Sequence, residues 1–391
     1  MLIAEVAFWF CLASVVYGFG GYFAAALLLS GVLNRKVIKA DLEPRVTVVI
    51  SAFNEEREIA RTVTNKLSLD YPPDRLDVIV VSDGSTDMTD QILHGLVARS
   101  AGRLKFLRQE PRQGKTQALN TAVRHSTADI IVFADANSIY AQNSLRALVR
   151  SFADPSVGYV TGRMIYTNPA GAAIGEGSAT YMRYENALRV IETRLGSIVG
   201  VDGGLDAVRR ELYVPMRADQ LPDFVLPLNV VEQGKRVVYE PEAVIYEPAL
   251  AGASNEFRMR VRVSLRALWA LYDKRNLLNP FRYPLFSWQL WSHKVLRYGA
   301  FVPLLGLLIS SALLDGYDLF YEMFLELQIA AYGLALLGHV INRWPSSVSM
   351  LLAPYYFVLL NAASAVAVWK LIRGQKMAVW KPREGAESLW R

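Results

Sequence analysis

The chain has 391 residues, 52% hydrophobic and 20% charged, with a formal net charge of +6. A mean hydropathy of +0.20 is too high for one soluble domain, and the excess is segregated into a few long runs. The single cysteine, Cys11, excludes disulfides and a thiolate metal site, and basic residues beside apolar runs speak for lipid headgroups rather than nucleic acid.

From Val6 to Leu33 there is no charge, enough to cross a bilayer, which takes about 20 residues. A secretory signal is the alternative. Glu5, the lack of Lys or Arg in the first ten residues and the length of the apolar core favour an uncleaved anchor over residues 1–34. Arg35, Lys36 and Lys39 follow and place that end in the cytoplasm, at the inner membrane.

Residues 45–250 alternate strand and helix. Strand patterns cover Val46–Ser51, Asp77–Ser82, Leu104–Leu107, Ile130–Ala134 and Val157–Ile165, and helical ones Glu55–Leu67, Thr89–Arg99 and Lys115–Arg124. That alternation predicts an α/β domain with a mostly parallel, Rossmann-like sheet. Three of these apolar runs break into polar residues at their ends: Ser51-Ala-Phe-Asn-Glu55, Ser82-Asp-Gly-Ser-Thr-Asp87 and Asp135-Ala-Asn137. Ligands of open α/β sheets bind beyond the carboxyl ends of the strands, so Glu55, Asp83 and Asp135 are expected around one crevice.

Each end has two readings. Asp83 can accept from a ribose or a base N–H, or simply cap the next helix. Lys115, after Gly114, suits a phosphate at a helix start or stands solvated; Gln109 occupies the position where a P-loop needs glycine. Asp135 and Asn137 can grip one hard divalent ion, Mg²⁺ or Mn²⁺, or form an Asx turn.

Beyond this domain, residues 256–294 read as interfacial. Glu256–Tyr272 is an amphipathic helix with Arg258, Arg262 and Arg266 on one face, and Pro280–Lys294 is an aromatic belt in which His293 is expected at headgroup level. Residues 297–371 hold the apolar runs Tyr298–Leu314 and Val348–Trp369 and a weaker one, Met323–Ile341, broken by Glu326. With the anchor, that makes three or four spans, the fourth depending on whether the weak run is re-entrant. The tail, residues 372–391, is basic and favours the inside.

In this combination of motifs, over about residues 45–278, the chain resembles the membrane-integrated family 2 glycosyltransferases of GT-A fold, such as cellulose, hyaluronan and poly-N-acetylglucosamine synthases. The resemblance implies that Ser51, Ala52, Asn54, Glu55 and Asp83 hold the base and ribose of a nucleotide sugar, UDP-linked for preference. It implies that Lys115 lies by the diphosphate and that Asp135, Ala136 and Asn137 replace an Asp-x-Asp motif for sugar nucleotide and metal. Asn137 there removes one negative charge. Gly200–Arg210, with Gly203 and Gly204, resembles the stretch lining the acceptor site. Leu221-Pro-Asp-Phe-Val-Leu-Pro-Leu228 resembles the element whose second acid is the catalytic base, which makes Asp223 that base; Pro222 stands at the first acid. The family's Gln-x-x-Arg-Trp element is degenerate here: Arg262 and Arg266 are assigned to the diphosphate and Trp269 to stacking on the acceptor.

The implied function is an inverting, metal-dependent transfer of a sugar to a polysaccharide or glycolipid acceptor on the cytoplasmic side of the bilayer. Two rivals remain: single transfer to a polyprenyl phosphate or lipid-linked oligosaccharide, and a non-catalytic scaffold. An oligomer or an export partner is compatible with so few spans.

Overall fold

The computed structural model describes residues 1–167, 173–247, 253–341 and 349–376. They fall into two compact units, one from Met1–Val32, Pro169–Leu188 and Gly252–Lys376, the other from Leu33–Asn168 and Arg189–Ala251.

The second unit is built on one eight-stranded sheet of order β3-β2-β1-β4-β7-β6-β8-β5. The strands are β1 Val46–Ala52, β2 Leu76–Ser82, β3 Leu104–Arg108, β4 Ile130–Asp135, β5 Ile139–Tyr140, β6 Val157–Tyr166, β7 Asp206–Arg209 and β8 Arg236–Glu247. β1 to β4 run parallel, and the largely apolar sequences of β1, β2 and β4 are buried on both faces, with β3 at the sheet edge. β7 then lies antiparallel between β4 and β6, β8 pairs parallel with β6, and β5 closes the edge antiparallel to β8. The α/β sheet expected from the alternation is present, half parallel and half mixed. Helices Thr89–Arg99 and Lys115–Arg124 have the expected bounds, whereas the first begins at Ile59, because residues 53–58 form a turn with Asn54 at φ +56°. Ser51 lies opposite Asp135 in register and Ala52 opposite Ser82, so three strand ends share one edge.

The other unit is helical. Leu2–Leu33, Leu319–Val340 and Ala353–Ile372 are long and apolar enough to cross a membrane; Pro284–Tyr298 and Phe301–Leu313, bent by 60°, qualify only as a pair. The interruption thus falls in the run that read as clear, and the run containing Glu326 is a continuous helix. Pro303 accounts for the break: it has no N–H for the Gly299 carbonyl, so it is tolerated only in the first turn of the restarted helix. Phe8, Leu307, Leu314 and Tyr321 form an apolar cluster in this unit. Elsewhere in it, His293, expected at headgroup level, is buried with Nε2 3.1 Å from Glu185, whose other oxygen accepts from Arg297 at 2.5 Å.

Candidate active site

Beyond β1 and β2 the chain is cross-tied. Asn54, in the left-handed region, accepts from the Thr86 amide (2.8 Å), and its own amide donates to Ser85 Oγ (3.1 Å). The Glu55 amide donates to Thr89 Oγ1 at 2.8 Å. Asp83 is 1% exposed and serves as a peg for the loop before helix Lys115–Arg124: it accepts from Gln109 Nε2 (2.7 Å), the Gln113 amide (2.8 Å), the Gly114 amide (2.9 Å) and Arg112 Nε (3.3 Å). That peg sets where Lys115, the first residue of the helix, stands.

Lys115 joins two acids from opposite ends of the domain. Its Nζ donates to Asp135 Oδ1 at 2.7 Å and lies 3.8 Å from Asp223 Oδ1. All three side chains are about one-third exposed or less, and the two carboxylates hold the ammonium above its usual range against the opposing effect of burial. Asp135 ends β4; Asp223 sits in the first turn of helix Pro222–Glu232, where the helix dipole favours a negative charge. Between them run Gly203 and Gly204, at φ +84° and +78°. A Cβ at 203 would lie 2.9 Å from Asp223 Cγ; one at 204 would lie 2.9 Å from Glu247 Oε1 and 3.6 Å from Asp135 Oδ2. Both positions therefore require glycine twice over, for backbone conformation and for space.

Four residues absent from the sequence reading complete this layer. Glu247, at the end of β8, is 2% exposed beside Gly204. Asp206, the first residue of β7, is 1% exposed and hydrogen-bonded by Thr161 and Tyr159; burial first, then the charges of Asp223 and Asp202, push its pKa up to about 8, which favours its neutral form. Lys66 is fully buried, its pKa drawn down to about 7 by burial against the pull of Glu247 and Asp135. Tyr140 donates to the Phe133 and Gly204 carbonyls at 2.9 and 2.7 Å, tying β4 to the glycine pair. Lys66 continues a buried stripe of Ile59, Thr62 and Val63 at helical spacing, a signal open to sequence reading. In the same unit, Arg189 makes a two-pronged ion pair with Asp202, next to Gly203.

The donor set suits a hard cation. Asp135 and Glu247 offer oxygen only, Asn137 follows in the turn after β4, and Gly204 keeps the space beside Asp135 and Glu247 open. Among the described residues no three His, Cys, Asp or Glu side chains form a metal cage, so an ion here needs further oxygens from a ligand. The helix carrying Arg262, Arg266 and Trp269, Ala253–Asp273, belongs to the other unit. There the Trp269 indole donates to the Gln375 carbonyl at 2.8 Å, and Lys376 lies 4.8 Å over its ring.

Residues 47–213 match the model of Glycosyl transferase family 2. The poly-beta-1,6-N-acetyl-D-glucosamine synthase of Staphylococcus aureus is 24% identical over 286 residues, 68% of this chain and 67% of that protein. The beta-monoglucosyldiacylglycerol synthase of Nostoc is 32% identical over 179 residues, 45% of this chain and 38% of that one. Among solved structures, the Pyrobaculum calidifontis mannosyltransferase PcManGT, in complex with GDP-Man and Mn²⁺, superposes with a TM-score of 0.69 at 23% identity, covering 93% of this chain and 99% of that one. The fold is therefore GT-A, and residues 47–213 of the chain are similar to family 2 glycosyltransferases.

Proposed function

We propose that this chain transfers a sugar, with inversion, from a nucleotide-sugar donor to a polysaccharide or glycolipid acceptor at the cytoplasmic face of a membrane. The observation that carries this reading is the Asp135–Lys115–Asp223 cluster around Gly203 and Gly204. In this reading Asp223 is the base, and the Lys115 ammonium, 3.8 Å from it, meets the anionic leaving group.

Asp223 takes the proton of the acceptor hydroxyl as its oxygen attacks the anomeric carbon. The new carbon–oxygen bond forms while the bond to the diphosphate breaks, and the proton ends on the Asp223 carboxylate. Base assistance of this kind contributes about 10²–10⁴ in rate. Lys115 is placed to exchange its carboxylate partners for the oxygens of the leaving diphosphate. Asp135 and Asn137 would hold Mg²⁺ or Mn²⁺, which supplies neutralising charge to that leaving group. Mn²⁺ in the PcManGT complex and the all-oxygen donor set here support a divalent ion. The Staphylococcus synthase supports a polysaccharide product and the Nostoc synthase a glycolipid. A UDP sugar is the favoured donor, and a GDP sugar is the alternative suggested by the PcManGT complex.

A second reading, one sugar per acceptor on a polyprenyl phosphate or lipid-linked oligosaccharide, is favoured by the three to four candidate spans among the described residues, a narrow base for a polymer channel. Product length separates the two: a ladder supports polymerisation and a single addition excludes it. The test of the proposal is nucleoside diphosphate release by the full chain in lipid nanodiscs, with UDP and GDP sugars and Mn²⁺. Release from a donor is expected, and its loss in Asp135→Ala. Release unchanged in that variant overturns the site; release from no donor overturns the function.

A further inference from the structure

The turn that carries Asp135, Ala136 and Asn137 is held from its buried side by one helix, Ile59–Leu67. Thr62 Oγ1 donates to the Ala136 carbonyl at 2.7 Å, and Lys66 Nζ donates to the Ser138 carbonyl at 2.6 Å. Asn65 closes the same turn with two bonds to Tyr140, accepting from its amide at 2.8 Å and donating to its carbonyl at 3.0 Å. The Lys66 ammonium also lies 3.9 Å over the Tyr140 ring. Thr62 and Lys66 are both 0% exposed, so neither can touch a substrate.

Their effect on the turn follows from peptide geometry. The peptide after Ala136 is trans, so its carbonyl and the Asn137 N–H point in opposite directions. Thr62 fixes that carbonyl toward the helix, which aims the Asn137 amide away from it. Among the described residues no backbone carbonyl takes this N–H.

We propose that Thr62 and Lys66 are positioning residues for the metal- and diphosphate-binding turn, and that they present the Asn137 backbone amide as an extra donor to an anionic ligand oxygen. The inference rests on the function proposed above. It also gives Asn137 a use beyond a neutral ligand: its side-chain oxygen would serve the ion while its N–H serves the diphosphate.

Partners standing behind metal ligands are worth about 10–100-fold in metal affinity. The test is direct binding of Mn²⁺ with UDP or GDP to the full chain, read by Mn²⁺ paramagnetic resonance and by calorimetry, without turnover. Thr62→Val keeps the shape and loses the donor, Lys66→Met keeps the stem and loses the ammonium, and Thr62→Ser restores the hydroxyl. Tenfold or weaker binding of Mn²⁺ and nucleotide together is expected in the first two, with recovery to within threefold in Thr62→Ser and melting temperatures within a few degrees of wild type. Val and Met variants that bind within twofold of wild type overturn the positioning role alone, as does a failure of Thr62→Ser to recover. A wild-type chain that binds no Mn²⁺–nucleotide overturns the function and this inference together.

Discussion

Gly203→Ala is the sharpest perturbation the site offers, because it reaches Asp223 without altering it. The new Cβ would stand 2.9 Å from Asp223 Cγ and 3.1 and 3.2 Å from its oxygens. Carbon contacts settle at about 3.5–4 Å, so the carboxyl must give way by roughly 0.6–1 Å. A misplacement of about 1 Å at a reacting group costs on the order of 10²-fold in rate, or about 2.7 kcal/mol of barrier. The positive φ adds a separate strain of about 1–2 kcal/mol against folding. Gly234→Ala isolates that second effect: Gly234 is at φ +75° with nothing within 4 Å of an added Cβ. Turnover at saturating donor, measured as nucleoside diphosphate release, should fall about 10²-fold in Gly203→Ala and stay within twofold in Gly234→Ala, while both lose melting temperature. A Gly203→Ala chain with turnover within twofold of wild type would refute the placement of the base.

Lys115→Met should weaken nucleoside diphosphate binding by at least tenfold, measured by calorimetry, since it removes the ammonium shared by Asp135 and Asp223. Asp206 gives a pH signature. Its folded pKa, pushed up to about 8, exceeds the unfolded value, so the stability it contributes is complete below about pH 4 and declines by about 1.4 kcal/mol per unit until about pH 8. Melting temperature relative to Asp206→Asn should fall across that window; a constant difference would contradict a neutral buried acid. Arg189→Met strands Asp202 next to Gly203 and should cost about 3–5 kcal/mol, seen as a large drop in thermal stability.

The parts of the fold that sequence made visible are those where hydrophobicity and structure coincide. β1, β2 and β4 are unbroken apolar runs that stop at polar residues, and the stops lie on one edge. Lys115 and Asp223, 108 positions apart by number, meet because the helix starts they occupy flank that edge. The misses share a cause as well. β7 has four residues and opens on Asp206; β8 is interrupted by Glu240-Pro-Glu242, although Glu240 is itself buried and paired with Arg150 and Lys39. Lys66 and Asp206 are ionisable side chains in the wrong place by hydropathy, held by partners remote in the chain. The apolar run Tyr298–Leu314 read as one span because hydropathy does not register the missing N–H of Pro303.

Donor binding and single-turnover sugar transfer, measured side by side on wild type, Asp223→Asn and Asp135→Ala in nanodiscs, test the central claim most directly. Asp223→Asn should bind donor within threefold of wild type and transfer at least 10²-fold more slowly, as expected for loss of a general base, while Asp135→Ala should lose donor binding. Wild-type transfer rates in both variants would contradict the convergence of these two acids on one reacting centre.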